Sequence, residues 1–138
     1  MAVKRDTPLK WPIQAVKSWI FPVFNEANLA GSQTGYFCYW GSYTVAGSAE
    51  VQLPKARITK VRIHITTNTT STDSTLTLLR NGAATGITGV IGAGATGFFE
   101  FIGNEQYAEG DRVTVEIVIG GTPAHACYVR GGTIVMEA

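Results

Sequence analysis

The sequence predicts an all-β domain, a two-sheet antiparallel sandwich, and three observations lead to this fold class. Charged residues make up only 15% of the 138 residues, against about 25% in an average soluble domain, which disfavours disorder and a solvated helical bundle. Sixteen glycines and many threonines suit short strands joined by tight turns. Residues 57–66 and 112–119 alternate between apolar and polar side chains, as a strand with one buried face does.

Residues 1–30 differ from the rest of the chain and are predicted to form an extended N-terminal arm. Pro8, Pro12 and Pro22 do not suit a central strand. Pro12 could begin a short helix, which Pro22 would end. The arm also carries large apolar side chains that need a partner surface, either the flank of the domain or a neighbouring subunit. These are Trp11, Ile13, Trp19, Phe21 and Phe24.

Residues 31–138 are predicted to form the sandwich domain. Eight strands are expected, at 36–43, 50–53, 57–66, 74–80, 85–91, 97–102, 112–119 and 126–136. The Asn81-Gly82 pair is typical of a hairpin turn. Alternation turns one set of side chains toward the core: Val61, Ile63, Ile65, Leu76, Leu78, Val113, Val115, Ile117 and Ile119. An eight-stranded jelly roll fits this strand count and spacing best.

Two short motifs match the sequence patterns of nucleotide-binding and RNA-binding proteins, but their sequence context does not. GAGATG at residues 92–97 matches G-x-G-x-x-G, but a dinucleotide site needs this loop to open a helix. Here a strand-like aromatic run follows, so we expect a glycine-rich turn. Arg130-Gly131-Gly132 is one unit of an RGG tract, and its glycines are better explained by a bulge or close packing in a strand.

The sequence lacks several motifs that are typical of enzyme and metal sites. It contains no CxxC, HExxH or G-x-S-x-G spacing, and His64 and His125 lie far apart. Glu109 and Asp111 flank a turn glycine and are expected to cap a hairpin. Cys38 and Cys127 fall in strand-like runs, where buried free thiols are expected. We therefore predict no catalytic residues, no cofactor and no metal.

Two surface features remain as possible contacts with a partner. The basic stripe Lys60, Arg62 and His64 could meet an acidic partner, or it could be a plain solvated face. An aromatic cluster at residues 36–43 is divided by alternation between two faces, so only one set can fill the core. Trp40 and Tyr43 are the candidates for a glycan contact.

Charge and hydropathy exclude several classes of partner and location. The net charge of +1 provides no field to capture nucleic acid. No apolar run reaches the roughly 18 residues that a membrane helix needs. No secretory cleavage pattern is present, so Asn68-Thr69-Thr70 is expected to match a glycosylation acceptor by chance.

Residues 57–136 resemble two related groups of trimeric β-proteins. Residues 75–82 (TLTLLRNG) and 107–121 (YAEGDRVTVEIVIGG) contain the L-x-x-N-G turn and the G-D-x-V strand start of the complement globular-head and tumour-necrosis-factor type. With the glycine-rich residues 93–97 and Gly120-Gly121-Thr122, they are also similar to jelly-roll head-decoration and fibre proteins of tailed bacteriophages. The chain shows no collagen-like stalk or secretory signal, which favours the phage group.

This resemblance implies a homotrimeric, non-enzymatic part of a virion. The leading hypothesis is a capsid decoration or cementing protein, made in the host cytoplasm, whose partners are itself and the major capsid protein or another virion protein. Its arm would then bury apolar side chains against neighbours. The alternative is a receptor- or glycan-binding module of a phage tail fibre, for which Trp40, Tyr43, Lys60, Arg62 and His64 are the candidate contacts.

Overall fold

A computed structural model describes residues 18–24, 27–38, 41–43 and 50–137. These residues form eleven strands and no helix, which confirms the all-β prediction. The strands are β1 (Ser18–Phe24), β2 (Ala27–Ala30), β3 (Thr34–Cys38), β4 (Gly41–Tyr43), β5 (Val51–Gln52), β6 (Ala56–Asn68), β7 (Ser74–Arg80), β8 (Ala83–Ile91), β9 (Gly97–Tyr107), β10 (Arg112–Val118) and β11 (Ala126–Glu137).

The strands are arranged in two antiparallel sheets, as predicted. Sheet A has the order β1-β11-β6-β9, and β2 also pairs with β11. Sheet B has the order β4-β3-β10-β7-β8, and β5 also pairs with β10. Five of the six strands of residues 56–137 therefore have neighbours from distant parts of the sequence.

The core lies between the sheets and is built from the inward residues of the alternating strands. Val61, Ile63 and Ile65 of β6 are buried, as are Leu76 and Leu78 of β7. The predicted inward residues at 113, 115, 117 and 119 are buried as well. Phe37 and Tyr107 are the largest fully buried side chains. Each buried Leu, Ile or Phe stabilises the fold by about 1.5–3 kcal/mol. The burial of these side chains therefore holds the two sheets together.

The region predicted as an arm contributes two strands to sheet A. β1 lies at the edge of the sheet and pairs with β11, with Trp19 opposite Met136 and Phe21 opposite Ile134. An edge strand tolerates Pro22 because one of its sides makes no ladder hydrogen bonds. Phe24 pairs with Gly132, whereas Trp11 and Ile13 lie outside the described residues.

Two of the differences from the predicted strands concern 36–43, which is divided into two strands, and 97–102, which is extended. The predicted strand at 36–43 is β3 and β4, and these pair with each other as a hairpin. β9 continues to Tyr107 rather than ending at 102. The polar sequence of residues 103–106 resembles a turn, but Gln106 Nε2 donates to the Ala56 carbonyl at 3.1 Å and keeps β9 beside β6.

The turns occur where glycine and asparagine predict them. Asn81 and Gly82 have φ angles of 52° and 80°, the left-handed conformation that a tight hairpin turn requires. Asn81 also joins this turn to the next hairpin, since its Oδ1 accepts from the Arg112 amide and its Nδ2 donates to Asp111. Residues 92–96 form the predicted turn between β8 and β9, and they open no helix.

Two general findings concern the described part of the chain. It contains no helix long and apolar enough to cross a membrane. Within the same residues, no group of three or more His, Cys, Asp or Glu side chains is arranged to hold a metal ion.

Candidate functional site

The predicted basic stripe lies on the outer face of sheet A, on the central strand β6. Lys60, Arg62 and His64 point away from the core because Val61, Ile63 and Ile65, which alternate with them, are buried. Arg62 is exposed, whereas Lys60 and His64 are half-buried. The strand period therefore places three basic side chains in one row along the sheet.

A single carboxylate on the neighbouring strand β9 contacts two members of this stripe. Glu100 lies opposite Arg62 with its Oε1 3.0 Å from Arg62 Nε, while Lys60 Nζ lies 3.5 Å from the other carboxylate oxygen. Exposed ion pairs of this kind contribute ~0–1 kcal/mol each. Since one negative charge serves two cations, this local group keeps a net positive charge.

His64 makes a ring contact instead of an ion pair. It lies opposite Phe98 of β9, and the two rings stack with centroids 4.2 Å apart and planes 10° apart. Phe98 is 70% exposed, which is unusual for a phenylalanine. The stack therefore presents an aromatic surface on the outer face of the sheet.

A groove of about 220 Å³ opens on the β11 side of this stack. Gly131 of β11 lies opposite His64, and Thr133 lies opposite Arg62. Arg130 lies at a β-bulge between the pairs Val129–Ile65 and Gly131–His64. A bulge here agrees with the prediction made from the two glycines that follow Arg130. The absence of a side chain at residue 131 leaves the space beside His64 open. The lining residues are Arg62, Ile63, His64, Phe98, Gly131, Gly132 and Thr133.

The structure does not bring all the predicted contact residues together. Tyr43 lies in β4 of sheet B, opposite Tyr36, whereas the basic stripe lies in sheet A. Trp40 is outside the described residues. The prediction missed Phe98, Glu100, Gly131 and Thr133, because only the strand pairing places them beside the stripe.

The outer face of sheet B differs from that of sheet A in its chemistry. Two rows cross its strands, Thr34–Val118–Thr75–Val90 and Tyr36–Glu116–Thr77–Thr88. Val90 is 59% and Val118 is 40% exposed. Burial and a hydrogen bond to Glu116 raise the pKa of Tyr36, so its phenol stays neutral. Glu116 is the one charged residue in these two rows.

The apparent glycosylation acceptor is occupied by internal hydrogen bonds. Asn68 is buried, and its Nδ2 donates to the carbonyl of Ala95 at 3.0 Å and more weakly to Gly92. Its Oδ1 accepts from the amide and the hydroxyl of Thr70. The side chain thus holds the residue 92–96 turn against the end of β6 and is not presented to solvent.

Two further titratable side chains, Cys127 and Tyr107, are buried in the hydrophobic core. Cys127 is a buried free thiol, as predicted, and burial raises its pKa to about 11. Tyr107 is fully buried, its hydroxyl donates to the Leu79 carbonyl at 2.9 Å, and burial raises its pKa. A neutral thiol is a poor nucleophile, so neither group is prepared for chemistry at neutral pH.

Neither a scan against protein-family models nor a search of curated proteins finds a match for this chain.

Proposed function

We propose that the protein is a non-enzymatic structural protein of a virion, a capsid decoration protein that assembles as a homotrimer. The observation that supports this most is the outer face of sheet B, where two exposed valines lie among threonines with a single carboxylate. Charged residues are depleted at the centres of protein interfaces, and apolar surface exposed on a monomer often marks an interaction site.

Strand pairing supports a jelly roll as the finer description of the sandwich. Without the short β2, β4 and β5, eight strands remain, and their pairs are the first with the last, the second with the seventh, the third with the sixth and the fourth with the fifth. A hairpin rolled up along its length produces this nesting, with four strands in each sheet.

The proposed trimer would bury the two rows of sheet B against neighbouring copies. Threonine and valine side chains are short and stiff, so burying them costs little conformational entropy. The Tyr36 phenol interacts with the Glu116 carboxylate, which offsets part of the cost of excluding water from that charge.

The virion location rests on the resemblance of residues 57–136 to phage decoration proteins. In this proposal, the residues before β1, including Trp11 and Ile13, contact the major capsid protein on the capsid surface. Wild-type and Trp11→Ala proteins would be mixed with particles that lack the decoration protein. Retention of wild type and loss of the variant would support the arm's role, and equal retention would contradict it.

Light scattering on a sizing column tests the trimer. The proposal predicts three times 14.7 kDa, about 44 kDa, for the full-length protein. A mass of one chain over a wide concentration range would contradict it.

A further inference from the structure

The groove on the outer face of sheet A has the features of a small ligand site. It is open to solvent, and its volume of about 220 Å³ lies below the ~300 Å³ at which pockets for drug-sized ligands begin. A space of this size suits a single ring. It lies on the sheet opposite to the proposed trimer interface, so the two surfaces are independent.

The stacked rings determine the shape of the occupant. Phe98, His64 and Gly131 lie side by side on β9, β6 and β11, and the first two carry rings stacked at 4.2 Å. The third position has no side chain. A ring with an apolar face, such as the C–H face of a pyranose chair, could lie over Gly131 and pack against the second face of the His64 imidazole.

The charged side chains around the groove determine which substituents a bound ligand would carry. Arg62 lines the groove, and it shares Glu100 with Lys60, so the site carries more positive than negative charge. A carboxylate is the natural partner of a guanidinium group. The Thr133 hydroxyl lines the same groove, and hydroxyl groups on the outer side of a bound ring would remain hydrated because the groove is open.

We propose that this groove binds an acidic sugar, a pyranose ring that stacks on His64 and places its carboxylate against Arg62. Binding is non-covalent and needs no other group. At the efficiency per atom usual for small polar ligands, one hexuronate binds with a Kd of about 1 mM.

Nuclear magnetic resonance titration of the full-length protein with glucuronic acid tests the site, with glucose as the neutral counterpart. We expect saturable shifts of the Gly131, Gly132 and His64 amide signals with glucuronic acid. Glucose should bind about tenfold more weakly, because it lacks the charged hydrogen bond to Arg62. Equal affinity for both sugars, or no saturable shift at these amides, would overturn the proposal.

Two variants and one control locate the site. Arg62→Gln should weaken glucuronic acid binding about tenfold, and Gly131→Ala should weaken it by placing a methyl group beside His64. Arg57→Gln is the matched control, since Arg57 is an ion-paired arginine of the same strand that does not line the groove. A loss with Arg57→Gln equal to that with Arg62→Gln would show unspecific charge attraction and contradict the site.

The proposal does not depend on trimer formation. A Val90→Lys, Val118→Lys variant changes only sheet B and should bind glucuronic acid as wild type does. Failure of the trimer and failure of the sugar site are therefore separate results.

Discussion

The Asn68 side chain connects three backbone groups from two separate segments of the chain. It satisfies the Ala95 and Gly92 carbonyls and the Thr70 amide from a buried position. Replacing it removes the side-chain partner of the Ala95 carbonyl and of the Thr70 amide, whereas the Gly92 carbonyl keeps its bond from the Ala95 amide. A buried unsatisfied group costs about 1–3 kcal/mol.

Asn68→Ala is therefore predicted to lower the free energy of unfolding by about 2–3 kcal/mol. Urea unfolding measures this, with Thr66→Ala on the exposed side of the same strand as control. A decrease below about 0.5 kcal/mol, the usual range of surface substitutions, would show that Asn68 does not hold the turn.

The Asp111 carboxylate makes the stability of the fold depend on pH in the acidic range. Hydrogen bonds from Asn81 Nδ2 and from the Ala108 amide lower the pKa of its carboxyl below the usual value. The ionised form therefore stabilises the fold above the unfolded-state pKa of about 3.9, and this contribution is lost as pH falls through the lower folded-state pKa.

Denaturant midpoints between about pH 5 and about pH 2 measure this contribution. Asp111→Asn should show a smaller decrease of stability over that window than wild type. Glu109→Gln, an exposed carboxylate on the same turn, is the control and should keep the wild-type decrease. An unchanged acid response in Asp111→Asn would contradict the account.

Single residues were predictable where local chemistry decides their role. Asn81-Gly82 is a turn, and Cys127 is a buried thiol. Asn68 was not predictable, since its partners Gly92 and Ala95 lie 24 and 27 residues away in the sequence. The Asn-x-Thr pattern is the same whether its asparagine is buried, as Asn68 is, or exposed as a glycosylation acceptor.

At the scale of elements, β8 and β9 illustrate a close approach between the two sheets. A Cβ atom on Gly103 would lie 2.5 Å from Ile87 Cγ1, and one on Gly89 would lie 2.4 Å from Phe101. Both distances are well inside van der Waals contact. The glycines therefore let the edge strand of one sheet lie against that of the other.

Gly103→Ala is predicted to destabilise the fold by about 1–3 kcal/mol through overpacking. Gly92→Ala is the matched control, because its nearest neighbour atom would be 3.8 Å away. In an Ile87→Ala background, the effect of Gly103→Ala should shrink, as expected for groups in contact. Identical effects in both backgrounds would show that Ile87 is not the obstacle.

The strands themselves were largely predictable, because alternation is a local property. β6, β7 and β10 have the expected inward residues. The end of β9 was not predictable, since the strand continues past residue 102 through the pairing of residues 105–107 with residues 56–58. Pairing across the sheet overrides local preference here.

At the scale of the whole molecule, pairing between distant segments determines both candidate surfaces. β1 joins β11, from opposite ends of the chain, and three separate strands meet at the groove. The all-β class followed from composition and alternation, whereas the neighbours of each strand did not. For that reason the basic stripe was found in the sequence, but its partners Phe98 and Glu100 were not.

The two outer faces differ in where their charges lie, and this contrast supports the assembly proposal. Sheet A carries the ion pairs of Lys60 and Arg62 on its internal strand β6. In sheet B the Arg112–Glu50 ion pair lies at the start of β10, whereas Val118 lies at its end and joins Val90 among threonines. Lysine at Val90 and Val118 should be tolerated in a monomer because both side chains are exposed, but it should prevent close packing between copies.

The most direct test of the central claim is the solution mass of the Val90→Lys, Val118→Lys variant beside wild type. Ile102→Lys, at an apolar residue of sheet A that is more exposed than either valine, is the matched control. We expect trimers of about 44 kDa for wild type and Ile102→Lys, and single chains for the double variant. A double variant that remains trimeric would contradict the assignment of sheet B as the interface.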